Sequence, residues 1–114
     1  MSAITTHVLD TARGRPAEGV PVTLEAQGPD GGWHVVGRGR TDRDGRLRDL
    51  LPPDQTLSEG AYRLTFGTGE YFAAQGARAF YPSVAVVFSV SAAAEHYHVP
   101  LLLSPFGYST YRGS

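Results

Sequence analysis

No cysteine occurs among the 114 residues. Disulfides, cysteine-type zinc sites, iron–sulfur ligation and thiol nucleophiles are therefore excluded together. Lysine is missing as well: all ten cationic side chains are arginine. That removes Schiff-base and P-loop lysine chemistry. The net charge is −1, so no broad basic field exists to hold nucleic acid or an anionic membrane. Arg38-Gly39-Arg40 beside Trp33 is too small to make a basic stripe. No apolar run approaches the ~20 residues of a membrane span. The opening Met1–His7 segment has neither a basic n-region nor an apolar h-region, which predicts a cytoplasmic protein. The chain also lacks a G-x-S-x-G elbow, an H-E-x-x-H helix, a dinucleotide fingerprint and a phosphate loop.

What is present reads as one all-β domain spanning residues 1–114. A chain of 12.2 kDa should fold to roughly 6,000 Å² of surface from roughly 17,700 Å² unfolded, enough burial for a core without staples. Fourteen glycines and eight prolines punctuate it at short intervals. Between them, apolar residues alternate with period two. Val20, Val22 and Leu24 form one such set; Tyr62, Leu64 and Phe66 another. Val84, Val86, Phe88 and Val90 form a third, and Tyr97, Val99, Leu101 and Leu103 a fourth. Each reads as a strand with one face in a core. Ile4–Asp10 adds a strand ending at a turn-like Thr11–Pro16 segment. Trp33–Thr41 follows the Gly28–Gly32 turn, making residues 20–41 a hairpin. A short strand over Leu47–Leu51 and a last one over Tyr108–Arg112 bring the count to about eight, which predicts a two-sheet sandwich. Glu70–Gly76 is alanine-rich and bounded by glycine, and predicts one or two turns of helix.

Chemistry is sparse. Of four histidines, His96 and His98 stand two apart on one strand and share a face opposite Tyr97 and Val99. Two imidazoles on a solvent-side face can bind a metal or hold a water, although a bare H-x-H is more often an ordinary exposed strand. His34 is assigned no role. Arg46 follows the tight Asp44-Gly45 turn, which can aim a guanidinium at carbonyl or carboxylate oxygens; with Arg43 and Arg48 beside it, a solvated loop arginine is the commoner outcome. The end of the chain is aromatic and glycine-containing where termini usually fray. It reads either as a tail packed into something or as an exposed edge strand that invites a dimer.

Three motifs resemble the 5-hydroxyisourate hydrolases, enzymatic relatives of transthyretin. They are Thr6-His7-Val8-Leu9-Asp10, Thr41-Asp42-Arg43-Asp44-Gly45-Arg46, and His96-Tyr97-His98-Val99-Pro100-Leu101-Leu102-Leu103-Ser104-Pro105 followed by Tyr108–Ser114. The resemblance spans the whole chain. Its most specific element is Tyr111-Arg112-Gly113-Ser114, which in the family marks the hydrolases and is absent from transthyretin proper. Asp42 stands where the family often carries asparagine, a change expected to touch the turn and not the chemistry. The resemblance implies a transthyretin-like sandwich of eight strands with one short helix. It also implies a homotetramer, a dimer of dimers with the active site in the channel between them.

The implied reaction is hydrolysis of 5-hydroxyisourate to 2-oxo-4-hydroxy-4-carboxy-5-ureidoimidazoline in urate catabolism. It opens a cyclic amide with no metal and no organic cofactor. Carried over by position, the resemblance gives His7, Arg46, His98 and Ser114 catalytic roles and places His7, Arg46, Tyr111 and Arg112 against the substrate. Which histidine is the base, and what His96 does, stay open. The chemistry fits: a neutral imidazole can take a proton from water and a planar guanidinium suits a flat polar heterocycle. Two alternatives stand beside it. One is a transthyretin-like small-ligand carrier without catalysis; the other is a zinc-activated water held by His7, His96 and His98.

Overall fold

The computed structural model describes residues 2–114. Its strands are β1 (Ile4–Asp10), β2 (Arg15–Pro16), β3 (Pro21–Gln27), β4 (Trp33–Arg40), β5 (Arg46–Leu47), β6 (Gly60–Phe66), β7 (Val84–Val90), β8 (Tyr97–Ser104) and β9 (Gly107–Thr110), with one helix, α1 (Thr68–Ala73). They form two sheets. The first runs β2-β1-β8-β9, with β5 also paired to β1; the second runs β4-β3-β6-β7. The accessible surface is 6354 Å², close to what a compact chain of this mass should expose.

The alternating residues do what their spacing predicts. Val22 and Leu24 of β3, Tyr62, Leu64 and Phe66 of β6, and Tyr97, Val99, Leu101 and Leu103 of β8 all face the core. In β7, Val84 and Val90 are buried, while Val86 and Phe88 pack against the core from its margin. β1 turns Ile4, Thr6, Val8 and Asp10 inward. Its two inward polar residues are satisfied, as burial requires. Thr6 Oγ1 donates to the Val99 carbonyl at 2.6 Å. Asp10 accepts from the Tyr71 hydroxyl at 2.8 Å and from the Arg13 amide at 3.0 Å, which ties α1 to the end of β1.

Several boundaries move. The short strand expected over Leu47–Leu51 reduces to the two residues of β5; beyond it Leu50 and Leu51 are buried in the core without strand pairing. Within the expected Thr11–Pro16 turn, Arg15 and Pro16 pair with Asp10 and Leu9 as β2. The helix starts at Thr68 and stops at Ala73, so its last predicted turn is a non-helical turn closed by Gly76. The last strand stops at Thr110 instead of Arg112, and Gly113 returns to β8 as a single bridge with His98.

Candidate active site

The polar side chains converge on the outer face of the first sheet. Three pairings bring them there. β1 and β8 are parallel neighbours that set Thr5 beside His98. β5 is antiparallel to β1 and sets Arg46 beside His7. The Gly113 amide donates to the His98 carbonyl at 2.8 Å and brings Ser114 alongside. Since alternate residues of a strand share a face, Thr5 and His7 face outward together. Arg46, His98 and Ser114 line one pocket of about 220 Å³ with Thr5, Arg48 and His96.

The Asp42–Gly45 turn explains how Arg46 and His7 are held. Asp42 Oδ1 accepts from the Asp44 amide at 2.8 Å and from the Arg46 amide at 3.0 Å, an Asx-type lock on the loop. Gly45 has φ +75°, and a Cβ there would collide with the Val8 carbonyl, so glycine is required twice over. The turn leaves the Asp44 carbonyl 2.9 Å from His7 Nε2. A carbonyl only accepts, so Nε2 carries the proton and the neutral ring keeps its lone pair on Nδ1. Aspartate at position 42 thus forms the turn as expected, but its charge also acts on His7, raising that pKa, so its effect is not confined to the loop.

Gly113 is required for a different reason. Its φ is not positive; what matters is contact. A Cβ would stand 2.6 Å from His98 Cδ2 and 3.2 Å from Pro100 Cγ, so only glycine lets the tail lie flat against the imidazole. On its other side, His98 Nδ1 is 2.8 Å from Thr5 Oγ1.

Burial and the neighbouring groups favour the neutral form of both imidazoles. Burial, then the Arg46 charge, lowers the pKa of His7, against opposition from the Asp44 carbonyl and the nearby Asp42 and Asp44 charges. Burial, then the proximity of His7, His96 and Arg46, lowers that of His98. A base that is neutral at physiological pH beside a fixed cation can take a proton while the cation holds a developing oxyanion.

The remaining expected residues fall elsewhere in the chain. Tyr111 and Arg112 line a separate groove at the open edge of the sandwich, with Val87 and Phe88 of β7 and Tyr97 of β8. The Arg112 guanidinium lies 4.5 Å over the Tyr97 ring and 3.2 Å from Glu95. Because the chain leaves the sheet after Thr110, these two side chains part from Ser114. His7 adjoins the pocket through Arg46 without lining it. Among the described residues no group of three or more His, Cys, Asp or Glu is placed to hold a metal ion, so the zinc alternative finds no ligand set here. Thr5 escaped the sequence reading. In a strand it is an unremarkable β-branched residue, and the only available signal was its place two before His7.

Comparison with known proteins gives the family and the fold. The HIUase/Transthyretin family matches residues 4–113. A 5-hydroxyisourate hydrolase of Salmonella dublin is 49% identical over 111 residues, 97% of this chain and 80% of that protein. The solved 5-hydroxyisourate hydrolase of Klebsiella pneumoniae superposes with a TM-score of 0.84 at 35% identity, covering 97% of this chain and 98% of that one. Sea bream transthyretin in complex with thyroxine superposes with a TM-score of 0.91 at 34% identity, covering 97% and 94%. The backbone therefore fits hydrolase and carrier alike, and discrimination rests on side chains. By sequence, sheet order and whole-chain superposition, the chain belongs to the HIUase/Transthyretin family.

Proposed function

We propose that this protein hydrolyses 5-hydroxyisourate, opening its six-membered ring at a lactam amide. The observation that carries the reading is the meeting of Arg46, His98 and Ser114 in one pocket, with His7 next to it. Every lining side chain there is polar, which suits a flat heterocycle rich in carbonyls better than an apolar aromatic ligand. The hydrolase relatives supply the substrate.

In this reading water attacks the lactam carbonyl carbon as His98 takes its proton. Arg46 holds the oxyanion with parallel N–H donors. Collapse breaks the C–N bond, the ring nitrogen receives the proton from His98, and a carboxylate and a ureido group result. His7 positions the attacking water or a substrate N–H through its free Nδ1, and Ser114 offers a hydroxyl to a substrate oxygen.

Homotetramer assembly belongs to the same proposal. A pocket of about 220 Å³ is below the ~300–1,000 Å³ of a typical small-molecule site, as expected of a site completed by a second copy. The outer strands β7 and β9 carry exposed Val87 and Tyr108, and such edges invite pairing between copies. Tyr111 and Arg112 then reach substrate through the assembly. Sedimentation at micromolar concentration tests this: an active monomer refutes it.

The activity test is loss of the absorbance of freshly generated 5-hydroxyisourate. Acceleration over buffer supports hydrolysis. Saturable binding of thyroxine with no acceleration supports the carrier instead.

A further inference from the structure

The geometry points to Thr5 as a positioning residue that fixes the tautomer of His98 and joins it to His96. Its hydroxyl lies 2.8 Å from His98 Nδ1 and 3.1 Å from His96 Nε2. Thr5 is 2% exposed, and its strand pairing holds it directly beside His98. The two rings are 6.4 Å apart and 17° from parallel, so one oxygen serves both. The inference rests on the reading of His98 as the base.

A threonine hydroxyl has one proton to give and two lone pairs. It cannot donate to both imidazoles, so at least one facing nitrogen must carry a proton for both contacts to be hydrogen bonds. Two arrangements of the neutral rings satisfy this with the hydroxyl proton in use. In the first, His98 Nδ1–H donates to Oγ1, and the hydroxyl donates to His96 Nε2. His98 Nε2 then keeps its lone pair and can accept a proton from water. In the second, the hydroxyl donates to His98 Nδ1 and accepts from His96 Nε2–H. The proton of His98 then sits on Nε2, and no lone pair is left for the reaction. Only the first arrangement is competent, and His96, by accepting, selects it.

The choice of a hydroxyl over a carboxylate has an electrostatic consequence. A carboxylate on Nδ1 would orient the ring but also favour its cation. Thr5 orients it without charge. The titratable side chains and charged groups around His98 are His7 on β1, Arg46 on β5, Arg48 beyond it and His96 before β8, and no acidic side chain is among the described lining residues. The base therefore stays neutral beside Arg46 while its proton is placed by a neutral partner.

The test needs ¹⁵N-labelled histidine and three proteins: wild type, Thr5→Val and Thr5→Ser. Two-bond ¹H–¹⁵N spectra at neutral pH should show wild-type His98 protonated on Nδ1 and bare on Nε2. Thr5→Val should show a tautomer mixture, and Thr5→Ser should match wild type. With freshly generated 5-hydroxyisourate, Thr5→Val should lower kcat by about 10- to 100-fold with little change in KM, as loss of an orienting partner does, and Thr5→Ser should restore most of it. A wild-type His98 carrying its proton on Nε2 overturns the inference without any variant. So does a Thr5→Val protein with wild-type kcat, or a serine variant no better than valine. If wild type fails to open the ring at all, the hydrolase reading falls, while the spectra alone still decide whether Thr5 holds His98.

Discussion

The two sheets differ in how they are built and in what they carry. The second sheet, β4-β3-β6-β7, is antiparallel throughout. Its inward residues Val22, Leu24, Leu64 and Phe66 are buried, and no residue of the candidate site lies on it. The first sheet joins β1 to β8 in parallel, across most of the chain, and adds the two-residue strands β2 and β5. That sheet is harder to assemble, because distant segments must meet before any contact is gained. It also gathers side chains from the chain's start, middle and end onto one face. The contrast teaches that the site was placed where topology is least local, with the second sheet as the support behind it.

If that division is right, substitutions on the two sheets should separate activity from stability. The largest effect belongs to His98→Ala. Its turnover with 5-hydroxyisourate should fall by about 10²–10⁴-fold, as removal of a positioned general base does, with the thermal midpoint little changed; His7→Asn should follow it in direction. Turnover above about a tenth of wild type would withdraw that role. Leu64→Ala, in the centre of β6 and fully buried, should do the reverse. Urea titration should show about 2–5 kcal/mol of lost stability, and kcat of the folded fraction should be near wild type.

Subtler changes sharpen the boundary between tail and sheet. Gly113→Ala places a Cβ against the His98 ring and should displace the tail or the imidazole. Misplacement on the scale of 1 Å can cost about 10²-fold, so kcat should fall clearly while the melting curve barely moves; unaltered kinetics would show the tail to be mere edge. Arg46→Lys keeps the charge and loses the fork. A reduced kcat/KM is expected, and an unchanged one would return Arg46 to an ordinary turn residue.

The smallest effect is in pH dependence. His7 and His98 both sit below the ordinary 6.5 in the folded chain. The acid limb of kcat/KM should therefore lie below pH 6.5, and Arg46→Gln, by removing a cation, should move it upward. The same shifts act on stability. Between 6.5 and the lowered values the unfolded chain binds more protons, so stability is full above that window and falls as pH drops through it. A limb at or above 6.5 in the wild type would contradict the neutral-base arrangement.

How much of this was legible follows from the same contrast. Period-two alternation located β3, β6, β7 and β8 because each has one face in the core, and β1 showed through its β-branched residues and the turn after it. β2 and β5 are too short to show any period, so one was hidden in a turn and the other stretched to Leu51. The resemblance picked out His7, Arg46, His98 and Ser114, but strand pairing brings them together, and no local pattern announces that β1 lies parallel to β8. Thr5 was invisible for that reason: its meaning comes from the partner strand. The resemblance also carried over Tyr111 and Arg112 with Ser114. Within one chain the last strand ends at Thr110, and Arg112 lies over Tyr97 and beside Glu95, a path that no local pattern announces.

The central claim is that the outer face of the first sheet holds the heterocycle. A crystal structure of the protein soaked with urate, a stable flat relative of the substrate, tests it most directly. The account predicts urate against the Arg46 guanidinium, within hydrogen-bond reach of His98 and Ser114. Urate bound instead along Val87, Phe88 and Tyr111, with the Arg46 pocket left open, would contradict it.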